Sequence, residues 1–101
     1  MQDLLDAVAT PRRRAILRLV WEGELSSGEI ASHFSASWPS ISRSLKELRD
    51  AGVVTERREG NRRYYAAARG VLRPLRPILK EMWAMDLASL KRLAEKEARR
   101  R

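Results

Sequence analysis

The chain has 101 residues, of which 44% are hydrophobic, and this is enough apolar material for the core of one compact domain. Lysine and arginine number 21 against 13 aspartates and glutamates, so the formal net charge is +8 and a polyanion is the expected partner. With no cysteine and a single histidine, His33, the sequence excludes disulfides, thiolate metal sites and multi-histidine metal sites.

The first third of the chain predicts three helices. A short first helix carries an apolar stripe that consists of Leu4, Leu5 and Val8. Thr10 is a suitable N-cap for a second helix, which should run from Pro11 to about Glu22. Ser26 and Glu29 have the spacing of a capping box and predict a third helix that continues to about residue 34.

Three consecutive arginines, Arg12, Arg13 and Arg14, open the second helix, where positive charge opposes the helix dipole. A phosphate bound nearby would offset this conflict, whereas the alternative is an ordinary solvated cluster of charges. The sequence favours neither interpretation over the other.

A fourth helix is predicted over residues 38–51, with Ser37 as its N-cap and Gly52 after its end. Its apolar residues Ile41, Leu45 and Leu48 share one face, and the opposite face is polar. The alternatives are an ordinary solvated face and a surface that enters the major groove of DNA, with Arg43 able to reach guanine through a bidentate fork. The second interpretation assigns DNA contacts to Ser37, Trp38, Ser40, Ser42, Arg43 and Lys46.

Trp38 and Ser44 are less clear than the rest of this helix. The angle of Trp38, about 60° from the core direction, slightly favours packing between helices over stacking on DNA. Ser44, like Ser40, is expected to flank the outward face.

After Gly52 the period of the pattern changes to two. Residues 53–58 and 62–67 predict two strands of a β-hairpin that turns at Gly60 and Asn61. Arginines around such a tip favour contacts with phosphates or the minor groove, although a solvated charged turn is the alternative. The residues assigned to this interface are Arg57, Arg58, Asn61, Arg62 and Arg63.

From about Val71 a helical period returns, and Pro74 and Pro77 leave the start of this last helix open. Four short helices and a hairpin are too small to cover so long an apolar face. This favours burial of the face against a second subunit over folding back on the same chain. Asp86 interrupts this face and is expected to pair one turn away or across the dimer. The residues of this last helix that are predicted at the dimer interface are Leu75, Leu79, Met82, Trp83, Leu87 and Leu90.

The order of these elements predicts a mainly α fold with a small β-hairpin, a winged helix-turn-helix that ends in a C-terminal dimerisation helix. Residues 1–70 form the DNA-binding domain, and residues 71–101 form a dimerisation helix within the same compact domain. Several segments resemble the ArsR-type winged-helix repressors, in the right order and spacing: TPRRRAIL (10–17), EIA (29–31), SWPSISRSLKEL (37–48), AGVV (51–54) and REGNRRYY (58–65).

The resemblance implies a homodimer that binds a pseudo-palindromic operator in double-stranded DNA through its fourth helix and its hairpin, or wing. It also implies N- and C-terminal dimerisation helices, so Leu4, Leu5 and Val8 of the first helix join the predicted dimer interface. Metal-sensing members of the family carry cysteines in the segment 24–29 and carboxylate–histidine sets on the last helix, and this chain has neither. We therefore expect a branch of the family without metal ligands or cofactors. Repression in that branch is constitutive or is relieved by an unidentified effector or antirepressor. Trp38 and Ser44 replace the family's usual glutamine and a frequent histidine.

The expected function is thus that of a sequence-specific repressor in the cytoplasm. We expect neither a signal peptide nor a membrane span, because the first residues lack a basic start and the apolar runs are too short. The sequence also lacks the nucleophile–histidine pairs, metal sets and phosphate loops of enzymes. A winged-helix module that binds another protein is one alternative, for which only Trp38 offers apolar exposure on the fourth helix. An RNA-binding protein is another, although the aromatic residues are scattered rather than gathered into a stacking platform.

Overall fold

The computed structural model describes residues 2–99, with the side chains of residues 4–99. These residues form helices joined to a small antiparallel sheet, which confirms the predicted fold class. The elements in chain order are α1 (Gln2–Ala7), α2 (Pro11–Leu19), β1 (Leu25–Ser26), α3 (Ser27–Ala31), α4 (Trp38–Asp50), β2 (Val54–Glu59), β3 (Arg62–Ala67), α5 (Arg69–Leu72), a 3-10 turn (Arg73–Leu75) and α6 (Arg76–Arg99). Within the described residues, the helices all fall short of the length and apolar character of a membrane span.

The helix starts agree with the predicted caps. Thr10 Oγ1 accepts a hydrogen bond from the amide of Arg13 at 3.3 Å. Ser26 and Glu29 form the complete capping box, with the Ser26 amide donating to Glu29 Oε1 at 2.9 Å. These bonds from Ser26 hold the pKa of Glu29 below its ordinary value. Ser37 caps α4, so the start of this helix is set by its own sequence.

Two helices end earlier than predicted. The amide of Trp21 donates to the carbonyl of Arg18, three residues back, and those of His33 and Phe34 do the same at the end of α3. The last turns are therefore tighter than an α-helix, and α2 ends at Leu19 and α3 at Ala31.

The sheet has the strand order β1-β3-β2. At the hairpin turn Gly60 has a φ of 61°, whereas Asn61 has no positive φ. A positive φ at the first turn residue alone is the pattern of a type II′ turn with glycine first. The two-residue strand β1 was missed, because its partners Tyr64 and Tyr65 lie about forty positions further along the chain. It anchors the base of the wing to the segment that leads into α3.

The core gathers apolar residues from both ends of the chain. Val8, Leu75 and Leu79 were predicted at the dimer interface, but all three are buried in this core. Their helical spacing correctly indicated that they are buried, but the residues that bury them belong to the same chain. These side chains are therefore not available to a second subunit. Leu4, Met82 and Trp83 are half-buried, while Leu5, Leu87 and Leu90 remain exposed.

Helix α6 packs on α2 through its first half. The Trp83 ring meets Trp21 edge to face at 5.6 Å, and its Nε1–H donates to the carbonyl of Arg14 at 2.8 Å. The guanidinium of Arg14 binds both oxygens of Asp86, at 2.9 and 3.0 Å. The expectation for Asp86 was therefore wrong, since its partner is neither one turn away nor on another subunit but on α2 of the same chain.

We call residues 2–75, which precede α6, the head. Beyond Asp86 the inward face of α6 continues past the residues of the head that bury its first half. At 100° per residue, Leu90 lies within about 40° of Leu79, Trp83 and Asp86, so it continues the same face. Leu90 is nevertheless 64% exposed, and Leu87 and Leu93 beside it are exposed as well. We call Leu87, Leu90 and Leu93 the distal leucine stripe.

Candidate nucleic-acid interface

The outward face of α4 carries cations and hydroxyl groups, together with the acids Glu47 and Asp50 near its end. Arg43, Lys46 and Ser42 are exposed, and within residues 4–99 neither cation forms an ion pair. Ser44 is buried, which corrects the expectation that it flanks this face. Ser40 is half-buried, and its Oγ lies 3.0 Å from Oγ of Ser37, so these two hydroxyls complete the cap and still have capacity for a further hydrogen bond.

Trp38 stands in the first turn of α4 with 51% of its surface exposed. The slight preference for packing between helices was therefore wrong. Ile41 and Leu45 of the same helix are buried in the core, whereas Trp38 is not part of it. The N-terminal turn of α4 thus presents an aromatic ring next to Ser37.

Helix α4 is fixed to the rest of the head at both edges of its polar face. Arg49 Nη1 binds Glu56 Oε2 on β2 at 3.1 Å, which connects the end of α4 to the wing. Arg13 Nη1 binds Glu47 Oε2 at 2.5 Å, which connects α4 to α2. The orientation of α4 relative to both neighbours is therefore specified by charged contacts as well as by the core.

The three arginines of α2 have different environments. Arg14 is buried, and its guanidinium donates hydrogen bonds to Asp86 and to the carbonyl of Val8. Arg13 donates hydrogen bonds to Glu47 and to carbonyls at the end of α1. A phosphate is thus not needed to offset these two charges, and only Arg12 is exposed. The sequence could not distinguish these roles, because the partners lie on distant elements.

The wing arginines also divide into two groups. Arg57 binds Glu24 at 2.5 and 3.2 Å and Glu59 at 2.6 Å, and its guanidinium lies 4.6 Å from the centre of the Tyr64 ring. The hydrogen bonds from Arg57 hold the pKa of Glu24 below its ordinary value. Arg57 therefore serves mainly to brace the wing against the loop before β1.

Arg58 and Arg63 face each other directly across the hairpin. Like charges in such a cross-strand pair are unfavourable, and the only ion pair that either makes within residues 4–99 is the long 3.8 Å contact of Arg63 with Glu56. Arg62 and Asn61 are exposed at the tip. An anion beside Arg58 and Arg63 would relieve this repulsion, which is the property expected of a phosphate-binding wing.

Metal ligation has no comparable support among the described residues, since nowhere in 4–99 do three His, Cys, Asp or Glu side chains cluster in a way that could hold an ion. The exposed polar groups of α4 and of the wing include hydroxyls and guanidinium or ammonium groups. They are donors suited to phosphate oxygens and to the acceptor edges of bases.

Comparison with known proteins agrees with this geometry. Residues 10–56 match the family described as "Bacterial regulatory protein, arsR family". The chain is 40% identical over 72 residues to the Transcriptional repressor SdpR of Bacillus subtilis, covering 71% of this chain and 80% of that protein. It is 35% identical to the HTH-type transcriptional regulator Rv2034 of Mycobacterium tuberculosis, covering 90% of this chain and 85% of that protein.

Its fold also matches a homodimeric winged helix-turn-helix DNA-binding domain of Mycobacterium bovis, with a TM-score of 0.71, 30% identity and coverage of 82% of this chain and 77% of that one. The fold and these matches define a winged helix-turn-helix DNA-binding transcriptional regulator. The chain belongs to the arsR family of bacterial regulatory proteins. The resemblance drawn from the sequence is therefore confirmed.

Proposed function

We propose that this protein is a transcriptional repressor that binds a pseudo-palindromic operator as a homodimer. Two features together carry the proposal. Arg43 and Lys46 on α4 are exposed cations that form no ion pair within residues 4–99, and in the wing Arg58 and Arg63 face and repel each other. The homodimeric neighbour and the exposed distal leucine stripe support dimerisation. In this arrangement two α4 helices enter successive major grooves, ~34–36 Å apart.

The proposal gives each part of the interface a role. Helix α4 reads bases in the major groove, with Arg43 as the bidentate guanine contact and Lys46 on the flanking phosphates. The small side chains Ser37, Ser40 and Ser42 permit close approach of the backbone. In the wing, Arg58, Asn61, Arg62 and Arg63 contact phosphates or the minor groove, while Arg57 acts through its bracing contacts with Glu24 and Glu59.

We further propose that residues 1–70 bind DNA and that residues 71–101 supply the dimer contacts together with Leu4 and Leu5. Helices α1 and α6 carry the exposed or half-buried members of the predicted interface: Leu4 and Leu5 on α1, Met82 and Trp83 in the first half of α6, and Leu87 and Leu90 beyond them. Residues 100 and 101 lie outside the described part of the chain. The boundary near residue 70 separates two functions and not two separately packed units, because α6 packs on α2.

The repressor is proposed to act in the cytoplasm, to have no enzymatic activity and to respond to a signal other than a metal ion. Cysteine is absent from the sequence and His33 is its one histidine, so the thiolate and imidazole ligands that soft and borderline metals prefer are not available as a set. Repression is then constitutive, or it is relieved by an unidentified effector molecule or antirepressor protein.

Selection of binding sites from random double-stranded DNA tests the proposal. The expected result is enrichment of an inverted repeat that is bound by two chains, as measured by the stoichiometry of the complex. Recovery of no DNA motif, or tighter binding to single-stranded RNA of matched length, would contradict it. A protein partner that binds through Trp38, the alternative favoured by its exposure, predicts no enriched motif.

Arg43→Ala is expected to lower operator affinity about 5- to 100-fold and to leave binding to random DNA nearly unchanged, because it removes a base contact. Arg62→Ala should weaken binding to both DNAs and reduce the slope of log K against log salt by about 0.9, because it removes a phosphate contact. Fluorescence anisotropy titrations at several salt concentrations measure both effects.

Arg92→Ala is the matched control, since it removes the same charge from the exposed surface of α6. It should change neither the specificity ratio nor the salt slope by an amount comparable with the interface variants. An unaltered slope for Arg62→Ala would contradict the assignment of the wing tip to phosphate contacts.

A further inference from the structure

The side chain of Arg13 joins three helices. Its Nε–H donates to the carbonyl of Ala7 at 3.0 Å and its Nη2–H to the carbonyl of Asp6 at 2.5 Å, both at the end of α1. Its Nη1–H donates to Glu47 Oε2 on α4 at 2.5 Å. One guanidinium on α2 thus caps α1 and holds α4, and all three of its nitrogens have partners inside the protein.

These contacts satisfy groups that would otherwise lack partners. The last carbonyls of a helix have no intrahelical donor, and a cation at that end is favoured by the helix dipole. The Arg13 side chain is only 17% exposed, whereas that of Glu47 is 46% exposed on the polar side of α4. Arg13 is therefore largely withdrawn from the surface that DNA approaches.

Glu47 has the wrong charge for its location. It follows Lys46 directly on the helix that the proposed function places in the major groove, where a carboxylate is repelled by phosphates. Electrostatics alone predicts that removal of this charge strengthens DNA binding. The contact with Arg13 gives the carboxylate a different role, because it fixes the edge of α4 to the end of α1.

We propose that Arg13 and Glu47 are positioning residues that set the angle of α4 relative to α1 and so present Arg43 to its base. Neither residue contacts DNA. This inference rests on the proposed function, since it concerns how the operator-reading helix is held. It predicts that operator affinity depends on a carboxylate that general electrostatics would count as unfavourable.

The decisive variant is Glu47→Gln, tested with the highest-affinity duplex recovered by selection and with a random duplex of equal length. We expect operator affinity to fall about 3- to 30-fold while affinity for random DNA is unchanged or rises. The two affinities therefore move in opposite directions or separate. Glu95→Gln, which removes the same charge from the exposed surface of α6, should lower neither affinity.

Arg13 is tested in parallel with Arg13→Lys and Arg13→Gln. Lysine keeps the charge but cannot reproduce the fork that reaches three acceptors, so both variants should lose operator affinity to a similar extent. The salt slope should stay at the wild-type value, because no phosphate contact is lost. The double variant Arg13→Gln/Glu47→Gln should lose less than the sum of the two single losses, since they break one link.

Two results would overturn the inference. Tighter operator binding by Glu47→Gln would show that its carboxylate is merely repulsive, and a reduction of about 0.9 in the salt slope of Arg13→Gln, which removes the charge, would make Arg13 a phosphate ligand. Both results leave the proposed function intact, because the wild-type protein still selects an operator. The proposed function fails separately, when the wild-type protein enriches no DNA. Thermal unfolding of Glu47→Gln, an exposed position, confirms that the compared protein is folded.

Discussion

Leu90→Glu is expected to convert the protein into a monomer and to weaken operator binding by at least about 100-fold, because two linked half-sites bind far more tightly than one. Leu90 lies at the centre of the distal leucine stripe and is 64% exposed in the isolated chain. A carboxylate there would have to be buried without a partner when two subunits meet. Sedimentation equilibrium gives the mass, and anisotropy with the selected duplex gives the affinity.

Ala88→Glu is the matched control for this variant. Residue 88 lies about 160° around α6 from Leu90, so the same charge is added to the opposite face. It should remain dimeric and bind the operator normally. A Leu90→Glu protein that is still dimeric, or a monomer that still binds tightly, would contradict the assignment of the stripe to the subunit interface.

Asp86→Ala is expected to lower the free energy of unfolding by about 2–3 kcal/mol. The variant leaves the buried guanidinium of Arg14 without its carboxylate, and a fully buried pair broken in this way costs about 3–5 kcal/mol. The lower figure applies because the Asp86 side chain is 30% exposed and water can partly replace it. Urea denaturation followed by tryptophan fluorescence measures the change. Glu81→Ala, an exposed acid on the same helix, should change stability far less.

The contribution of Asp86 also depends on pH. Hydrogen bonds from Arg14 hold its pKa below the ordinary value in the folded state. The pair therefore stabilises the fold fully above the unfolded pKa, about 3.9, and this stabilisation is lost as the pH falls through the lower folded pKa. The stability difference between wild type and Asp86→Asn should shrink over that acidic range. A difference that is constant down to the lowest pH would contradict the ion pair.

Much of the fold could be predicted because its signals are local. The caps at Thr10, Ser26 and Ser37 each depend on a hydrogen bond that spans three residues, so the sequence contains both partners. The hairpin turn at Gly60 is equally local. Strand β1 was missed because a two-residue segment has no period of its own, and only its pairing with β3 makes it a strand.

The site was harder to predict because charge and periodicity do not name partners. The pattern of Val8, Leu75 and Leu79 showed that they are buried, but not that the burial is within one chain. Similarly, Arg13, Arg57 and Arg43 look alike in sequence, and only the fold gives the first two carboxylate partners. Leu93 follows Leu90 by three residues and could have been assigned to the last helix's exposed stripe by the same step rule that found Leu90.

Helix α6 has 24 residues and is about 36 Å long. One continuous helix therefore binds the head, through Trp83 and Asp86, and carries the leucines proposed to contact the second subunit. A single rigid helix of this kind leaves little freedom for the two heads of the dimer to move apart or to rotate independently. An operator whose spacer is one base pair too long turns the second half-site by about 35°, and a pair of heads joined so stiffly cannot follow that turn.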